Sequence, residues 1–305
     1  MNGRMNVLVT GGAGFIGSHL VRAIVELGHQ VFALDDLSSG KLENLPSGVT
    51  FLHKSVVDLA GLEVHNIDVI YHLAAIASVP KSVDNPMETF VVNVGGTVNV
   101  LEAARLASVK KVVFASSCAV YGDCYKKMGE LDIPRPLSPY AWSKLVCEQY
   151  CDMYTKLYSL PTVCLRYFNV FGEKQALSSQ YGLVVPRFIN CATHNISLPI
   201  YGDGKQTRDF IFIDDAIDAT ILSSKEEMTG VYNVGSGDNT SISDLAGLII
   251  SITGSKSCIE FHEPRAGDPL HTRANVSRIM KEGFVPGWSL EAGLRRTIGH
   301  ARKFL

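Results

Sequence analysis

The chain has 305 residues, of which 46% are hydrophobic and 19% are charged, and its formal net charge at pH 7 is −2. This composition predicts a folded globular protein and excludes a disordered or fibrous chain. A net charge this close to zero provides no basic surface for sequence-independent nucleic-acid binding, so we expect no nucleic-acid partner.

No run of apolar residues is long enough to span a membrane, so we expect no membrane partner. Seven cysteines are present, and nothing at the start of the chain resembles a signal peptide. These features favour free thiols and a cytoplasmic location. Cys147 and Cys151 are spaced by one helical turn, but no Cys-x-x-Cys motif or suitably placed His accompanies them, so we expect packing and not metal binding.

Short apolar runs alternate with amphipathic stretches through the first two thirds of the chain. Helices are predicted over 16–27 and 87–107, and a further helix is predicted from 289 onward. Strands are predicted at 6–10, 30–34, 50–53, 69–73, 111–115, 162–166 and 210–213. Strands that are apolar on both faces and separated by helices indicate an α/β fold with a doubly wound parallel sheet.

Glycines between the first strand and the first helix form a phosphate-binding pattern, Gly11-x-x-Gly14-x-x-Gly17. Glycines allow the backbone to approach a pyrophosphate, which then lies at the helix N-terminus. Asp35 ends the second strand, where a carboxylate can bind both ribose hydroxyls and repel a 2′-phosphate. No Arg closely follows Asp35 or Asp36, so the pattern predicts NAD over NADP. A role for Asp35 as a turn residue remains open.

The chain is expected to divide into two domains. An NAD-binding Rossmann domain covers 1–171 and regains 207–235, because the segment around 210–233 resembles a core strand, a helix and another strand. The segments 172–206 and 236–305 form a smaller C-terminal α/β domain that binds the substrate.

Tyr140 and Lys144 lie one helical turn apart and therefore on one face of a predicted helix. A phenol with a pKa of about 10 needs roughly 4 kcal/mol of differential stabilisation to ionise near pH 7. The Lys cation together with a nicotinium charge could supply it. Ser116 and Ser117 lie directly after the strand predicted at 111–115.

Together these motifs resemble the extended short-chain dehydrogenase/reductase family, in its NAD-dependent nucleotide-sugar epimerase/dehydratase branch. The resemblance is strongest to the UDP-glucose and UDP-N-acetylglucosamine 4-epimerases. The matching segments are Thr10-Gly11-Gly12-Ala13-Gly14-Phe15-Ile16-Gly17-Ser18-His19, His72-Leu73-Ala74-Ala75, Asn93, Ser116-Ser117, Val120-Tyr121-Gly122, Tyr140-x-x-x-Lys144, Arg166-Tyr167-Phe168-Asn169, Arg208-Asp209-Phe210 and Arg265-x-Gly267-Asp268.

The resemblance implies a role for each matching position. Tyr140 is the expected base, Lys144 lowers its pKa and holds the nicotinamide ribose, and Ser117 bonds the reacting oxygen. The expected NAD contacts are Gly11, Gly14, Phe15, Ile16, Gly17, Asp35, Asp36, Asp58, Leu59, Leu73, Ala74, Ala75, Asn93, Tyr140, Lys144 and Tyr167. The expected substrate contacts are Ser117, Asn169, Val184, Arg208, Arg265, Asp268 and Thr272.

Two positions depart from the dehydratase pattern. Family dehydratases place Asp-Glu directly after the Ser or Thr, and decarboxylating relatives usually carry a Glu at the second position. Here those positions are Cys118 and Ala119, which supply no carboxyl pair for elimination. Cys118 could be an unconventional acid or a small packing residue.

The resemblance, with these departures, implies a 4-epimerase of UDP-hexoses that acts through a transient 4-keto sugar and returns the hydride to the opposite face. The alternatives are a nucleotide-sugar dehydratase, a UDP-glucuronate 4-epimerase or decarboxylase of the same fold, and a catalytically silent NAD-binding regulator. The family also implies a homodimer, with helices near 87–107 and 140–158 at the interface. In the related 4-epimerases the residue at position 272 forms a wall of the sugar pocket, and the small Thr272 predicts acceptance of N-acetylated UDP-hexoses as well.

Overall fold

A computed structural model describes residues 3–59, 66–124, 126–176, 183–264 and 270–303. Its strands are β1 (Asn6–Thr10), β2 (Gln30–Asp35), β3 (Thr50–His53), β4 (Val69–His72), β5 (Lys111–Ser117), β6 (Thr162–Tyr167), β7 (Asn169–Phe171), β8 (Leu198–Tyr201), β9 (Thr207–Arg208), β10 (Phe210–Phe212), β11 (Gly230–Val234), β12 (Thr240–Ser241) and β13 (Ile259–His262). Its α-helices are α1 (Phe15–Glu26), α2 (Val79–Asp84), α3 (Pro86–Thr89), α4 (Gly96–Leu106), α5 (Pro139–Tyr158), α6 (Val184–Thr193), α7 (Ile213–Leu222), α8 (Ile242–Thr253), α9 (Ser277–Lys281) and α10 (Leu290–Ala301). A π-helical turn covers Phe90–Gly95, and short 3₁₀ turns cover Leu42–Asn44 and Cys118–Tyr121.

The central sheet contains seven strands in the order β3-β2-β1-β4-β5-β6-β11, and every neighbouring pair in it is parallel. This is the doubly wound arrangement. The strand order reverses between β1 and β4, and in such sheets ligands bind beside this point, at the carboxyl ends of the strands. The predicted fold class is confirmed.

Alternate residues of the central strands pack against opposite layers of helices. On β5, Val112 and Phe114 belong to one apolar cluster and Val113 to the other, and on β6 Cys164 and Leu165 divide in the same way. Burial on both faces explains why these strands read as continuous apolar runs in the sequence.

Two elements differ from the sequence-based prediction. The strand predicted at 210–213 does not join the large sheet, because β10 pairs with β7 in a separate two-stranded sheet. The helix predicted over 87–107 is one helical path with a change of pitch, since α3 runs into the π-turn and then into α4. A π-turn carries the same apolar residues as an α-helix, so periodicity does not detect it.

The C-terminal third of the chain supplies two further small sheets, β12 with β9 and β13 with β8. Between them the chain returns to the central sheet, where β11 pairs with β6 along Gly230–Val234. The domain boundaries at 171, 207 and 235 stay predictions. Among the described residues, no helix is long and apolar enough to cross a membrane.

Candidate active site

The start of α5 positions two predicted catalytic residues, Tyr140 in the first turn and Lys144 in the second. Ser138 precedes the helix and its hydroxyl accepts a hydrogen bond from the N–H of Ala141 at 3.1 Å, while Pro139 occupies the first helical position. The backbone N–H of Tyr140 donates to the Ser82 hydroxyl of α2 at 3.1 Å. The start of α5, and with it Tyr140, is therefore fixed by two neighbouring serines.

Ser117, Tyr140 and Lys144 converge where β5 ends. The Ser117 side chain lies close enough to the Tyr140 phenol to lower its pKa, and the Ser117 hydroxyl accepts the N–H of Ala119 at 3.2 Å. Lys144 is buried and its ammonium nitrogen lies 5.9 Å from the centre of the Tyr140 ring. The structure thus brings the three predicted catalytic residues together.

Burial governs the electrostatics of this pair. It raises the pKa of Tyr140 to about 12, and the Ser117 side chain opposes this only in part. It also lowers the pKa of Lys144 to about 8. The Lys144 ammonium donates to the Ala115 carbonyl at 2.8 Å and does not reach the phenol oxygen directly. The expectation that Lys144 and a nicotinium charge together lower the phenol pKa concerns the enzyme with NAD bound and stays a prediction.

A buried ion pair lies one helical turn beyond Lys144. Arg166 of β6 grips the Glu148 carboxylate through Nε at 2.9 Å and Nη2 at 2.7 Å, and Ser116 donates to the same carboxylate at 2.5 Å. Both charged side chains are at most 4% exposed. The contacts attach the middle of α5 to the ends of β5 and β6.

Asn93, in the π-turn, links the cofactor side of the sheet to α5. Its carboxamide accepts the N–H of Ile76 at 2.8 Å and donates to the Ile76 carbonyl at 3.1 Å and to the Ser143 hydroxyl at 2.9 Å. Ser143 in turn donates to the Tyr140 carbonyl at 2.7 Å. The hydrogen-bonding groups of the Asn93 side chain are thus engaged within the protein, and its contact with NAD stays a prediction.

The Cys147 thiol completes the packing behind the π-turn. It donates to the Asn93 carbonyl at 3.3 Å and lies at the same distance from the Thr97 hydroxyl. Cys151 is fully buried in the same apolar cluster. Both thiols pack inside the protein, as the sequence suggested.

The glycine turn between β1 and α1 is shaped by close backbone contact. A Cβ on Gly17 would lie 2.0 Å from the Gly11 carbonyl oxygen. Gly11 has φ +68°, and a Cβ there would lie 2.8 Å from the Ala74 nitrogen. No side chain caps the start of α1 at Gly14, so the first N–H groups of this helix, those of Phe15 and Ile16, are available to an anion.

Asp35 combines the two roles that the sequence left open. Its carboxylate accepts the N–H of Ala13 at 3.0 Å and that of Leu37 at 2.8 Å, so it shapes both turns. It also lines an open cleft. The cleft is lined by Leu34, Asp35, Asp36, Ser38, Ser39, Lys54, Ser55, Val56, Ala74, Ala75, Ile76, Lys81, Glu88 and Val92. A tight glycine turn, an uncapped helix start and acidic residues beside a cleft fit a dinucleotide such as NAD.

The other predicted cofactor contacts divide into two groups. Asp36, Ala74 and Ala75 line the cleft, and Leu73 precedes them, with its N–H bonded to the Thr10 carbonyl at 3.1 Å. Asp58 is exposed in the segment that follows β3. The side chains of Leu59 and Tyr167 face the core instead, since both are at most 8% exposed and the Tyr167 hydroxyl shares a hydrogen bond with Thr220 at 2.6 Å. Any contact of these two residues with NAD would have to come from their backbone.

Three predicted substrate residues cluster around β9 and β10. The Asn169 carboxamide donates to the Asp209 carbonyl at 2.9 Å, and Arg208 Nη1 donates to the Thr207 carbonyl at 3.0 Å. Thr272 is 4% exposed and its hydroxyl accepts the Asp209 N–H at 3.4 Å. Val184 begins α6 and is half-buried. Arg265 and Asp268 lie outside the described residues.

Cys118 lies at the junction of these two groups of residues. Burial raises the pKa of its thiol to about 12, and the negative charge of Asp209 adds to the effect while Arg208 opposes it. It is also close enough to Tyr140 to disfavour the phenolate. A thiol that stays neutral at pH 7 is a poor proton donor or acceptor, which favours the packing role for Cys118.

Sequence reasoning missed several supporting residues. Ser82, Ser143 and Asp209 lie within or beside recognised motifs, but hydrophobic periodicity gives no sign of what their side chains bond. Lys54 and Lys81 line the cofactor cleft. Of these, Lys54 could have been found, because it follows β3 directly at the carboxyl edge of the sheet, where ligands bind.

Comparison with known proteins identifies the family. The model of the NAD-dependent epimerase/dehydratase family matches residues 7–235. The chain belongs to this family. Members are NAD-dependent enzymes, which agrees with the fit of the cleft, and NAD is the cofactor of this chain.

Relatives of the epimerase/dehydratase chain cover almost its whole length. A UDP-glucose 4-epimerase of Mycolicibacterium smegmatis is 41% identical over 306 residues, covering 96% of this chain and 97% of the relative. A UDP-N-acetyl-alpha-D-glucosaminuronate decarboxylase of Bacillus cytotoxicus is 38% identical over 310 residues, covering 95% and 96%. The structure of a UDP-N-acetylglucosamine 4-epimerase from Methanobrevibacter ruminantium, solved with UDP-N-acetylmuramic acid, has a TM-score of 0.96 at 38% identity and covers 99% of each chain.

Replacing Tyr140 with Phe removes only the proton-transfer oxygen, so turnover should fall by about a hundredfold or more while bound NAD is retained. Steady-state kinetics on UDP-glucose and release of NAD on denaturation measure the two quantities. Tyr150→Phe on the same helix is the matched control and should keep full activity. Near-normal turnover of Tyr140→Phe contradicts the role of Tyr140 as the base.

Proposed function

We propose that this protein is a 4-epimerase of UDP-hexoses that interconverts UDP-glucose with UDP-galactose and UDP-N-acetylglucosamine with UDP-N-acetylgalactosamine. The observation that carries the proposal is the make-up of the reaction centre. Ser117, Tyr140 and Lys144 are assembled there, whereas the positions directly after Ser117 hold the neutral Cys118 thiol and the methyl group of Ala119. The centre can therefore move one proton at one hydroxyl, but has no carboxyl pair for elimination.

The residues of the chain account for the proton transfers of such a reaction. NAD, held at the glycine turn and the cleft beside Asp35, would supply the hydride acceptor and donor for C4 of the sugar. Tyr140 removes the proton of the 4-hydroxyl and gives it back, and Ser117, close to the phenol, orients the sugar oxygen. Lys144 holds the nicotinamide ribose and keeps a positive charge behind the phenol. Proton and hydride both return, so the step involves no net redox change.

The second candidate is a dehydratase or decarboxylase of the same fold. The decarboxylase relative, at 38% identity, shows that this level of similarity extends across reaction types. UDP-glucuronate 4-epimerisation is a further alternative, since it needs the same proton and hydride transfers on a substrate that carries a carboxylate. The residues at 118 and 119 favour epimerisation without elimination.

If the proposal is correct, the product of each UDP-hexose has the same mass as the substrate and differs only in configuration at C4. Mass spectrometry and NMR of the products from UDP-glucose, UDP-N-acetylglucosamine and UDP-glucuronate check this. A product that is lighter by one water overturns the epimerase in favour of a dehydratase. Loss of carbon dioxide from UDP-glucuronate would instead support a decarboxylase.

Acceptance of N-acetylated sugars depends on the space at position 272. In the related 4-epimerases this position is a wall of the sugar pocket, and a small side chain there leaves room for the acetamido group. Thr272 is small and buried, and it also accepts the Asp209 N–H. A substitution there therefore tests both the wall and this hydrogen bond, which calls for a control that keeps the hydroxyl.

Thr272→Tyr should reduce kcat/KM for UDP-N-acetylglucosamine at least tenfold more than for UDP-glucose, because overpacking costs about 1–3 kcal/mol. Thr272→Ser keeps a small side chain and the hydroxyl, so it should retain activity on both substrates. An equal loss on both substrates in Thr272→Tyr, or no loss on either, contradicts the assignment of the wall.

We also propose a homodimer, supported by an exposed apolar face beside α5. Its side chains lie on α2, α3, the π-turn and α5, which pack together. Val83, Met87, Phe90 and Trp142 are each between 55% and 71% exposed. Contiguous exposed apolar surface of this kind marks a protein interface, and the helices are those that the family resemblance assigns to dimerisation.

Met87→Glu combined with Phe90→Glu should convert a dimer into a monomer by placing charges in the proposed interface. Light scattering after size exclusion should give twice the 33.2 kDa chain mass for the wild type and the chain mass for the variant. Leu131→Glu, at a site that is 96% exposed and off these helices, should remain dimeric. A monomeric wild type, or a variant that stays dimeric, contradicts the interface.

We further propose a cytoplasmic location. All seven cysteines are free thiols, three of them buried. Unpaired thiols in this number are typical of a reducing compartment.

A further inference from the structure

Asp209 is a fully buried carboxylate with neutral partners. Its Oδ1 accepts the N–H and the hydroxyl of Ser236, both at 2.8 Å. Its Oδ2 accepts the N–H of Gly237 and that of Ala274, both at 3.0 Å. Asp209 is 0% exposed, and burial raises the pKa of its carboxyl group, whereas the hydrogen bonds from these donors act in the opposite direction.

The backbone carbonyl and N–H of Asp209 are also hydrogen-bonded. Its carbonyl accepts both the backbone N–H of Asn169, at 3.0 Å, and the Asn169 carboxamide, at 2.9 Å. Its N–H donates to the Thr272 hydroxyl at 3.4 Å. Arg208 precedes it directly. Three residues that are expected to bind substrate are thus linked to Asp209. Asn169 of β7 and Thr272 are hydrogen-bonded to it, and Arg208 of β9 precedes it.

The segment that carries Thr272 depends on the same contacts. It runs beside β9, where the Thr272 N–H donates to the Thr207 carbonyl at 3.0 Å, and it ends at Ala274, which Asp209 binds. The three segments are tightly packed around Gly235, because a Cβ there would lie 2.7 Å from the Ala274 Cβ and 2.9 Å from Asp209 Oδ2. A change at Asp209 must therefore displace the 235–237 and 272–274 segments together.

We propose that Asp209 is the positioning residue of the UDP-sugar pocket, holding Asn169, Arg208 and Thr272 in register without touching the substrate. The proposal rests on the proposed function, since it takes these residues to be the substrate contacts. Tyr140, Ser117 and the glycine turn are held by other contacts, from Ser82, Ser138, Ser143 and β5. Loss of Asp209 is therefore expected to weaken substrate binding and to leave NAD binding and the chemical step largely intact.

Asp209→Asn keeps the shape but turns an NH₂ group toward N–H donors. Leaving buried donors unpaired should raise KM for UDP-glucose about 10- to 100-fold, with kcat within about threefold and NAD content unchanged. Asp215→Asn is the matched control: Asp215 is also buried and accepts two backbone N–H groups, from Gly287 at 2.9 Å and Trp288 at 3.1 Å, next to α10. It should lower the melting temperature without changing KM.

If Asp209→Asn does not fold, Ser236→Ala removes one of the two contacts of Oδ1, the hydroxyl donor, and keeps the backbone N–H. It should therefore give a smaller KM increase in the same direction. A KM that stays at the wild-type value in the folded variant, with only the melting temperature lowered as in Asp215→Asn, overturns the proposal. Equal losses in kcat and NAD content overturn it as well.

Binding of UDP alone, measured by calorimetry, separates this proposal from the proposed function. Weaker UDP binding by Asp209→Asn supports the positioning role even if the wild type does not epimerise UDP-glucose, an outcome that would contradict only the reaction. Wild-type protein that binds no UDP contradicts both.

Discussion

Glu148 and Arg166 meet in a bidentate ion pair beneath the reaction centre, and the placement of Tyr140 and Lys144 depends on it. Removing two charges from water is costly, and a well-packed apolar pair of similar volume would be at least as stable. An ion pair with Ser116 as third partner, however, has one geometry, in which Glu148 faces the ends of β5 and β6. Removal of one partner would leave the other as a buried unpaired charge at a cost of about 3–5 kcal/mol. The pair therefore fixes the rotation of α5 about its axis, and the two catalytic residues follow from that rotation.

Buried polar groups have the same use elsewhere in the molecule. Asn93 and Ser143 tie the π-turn to the Tyr140 carbonyl, and Asp209 ties β7, β9 and the 272–274 segment together. In each case a buried polar group holds residues that are proposed to act in the site. A UDP-glucose 4-epimerase and a UDP-N-acetyl-alpha-D-glucosaminuronate decarboxylase both match this chain over nearly its full length, so one framework is compatible with more than one reaction.

The sequence was informative where a residue type or spacing is compatible with only one local structure. The glycine turn, the strand ends and the Tyr-x-x-x-Lys spacing predicted β1, α1 and the catalytic helix, because backbone geometry and helical pitch leave few alternatives. It was less informative about what each side chain contacts inside the protein. Asn93, Leu59 and Tyr167 match family positions that imply NAD contacts, and the sequence does not show that their side chains also bond or pack inside the protein. Strand pairing was also beyond reach for β10, because an apolar run of three residues does not specify its neighbour. The raised pKa of Tyr140 could not be predicted for a related reason: burial, which causes it, is a tertiary property.

The pairing of β11 with β6 has a consequence for how the chain folds. About sixty residues separate the two strands, and this stretch includes β7 to β10 and α6, which carry residues that are proposed to bind the substrate. Until β11 docks, β6 is an unpaired edge of the sheet, open to pairing with another chain. Closure of a parallel pair across so long a loop is entropically slow. Docking of β11 therefore completes the central sheet only after β7 to β10 have been synthesised, and the 272–274 segment, which follows β11 in the chain, joins the substrate side later still.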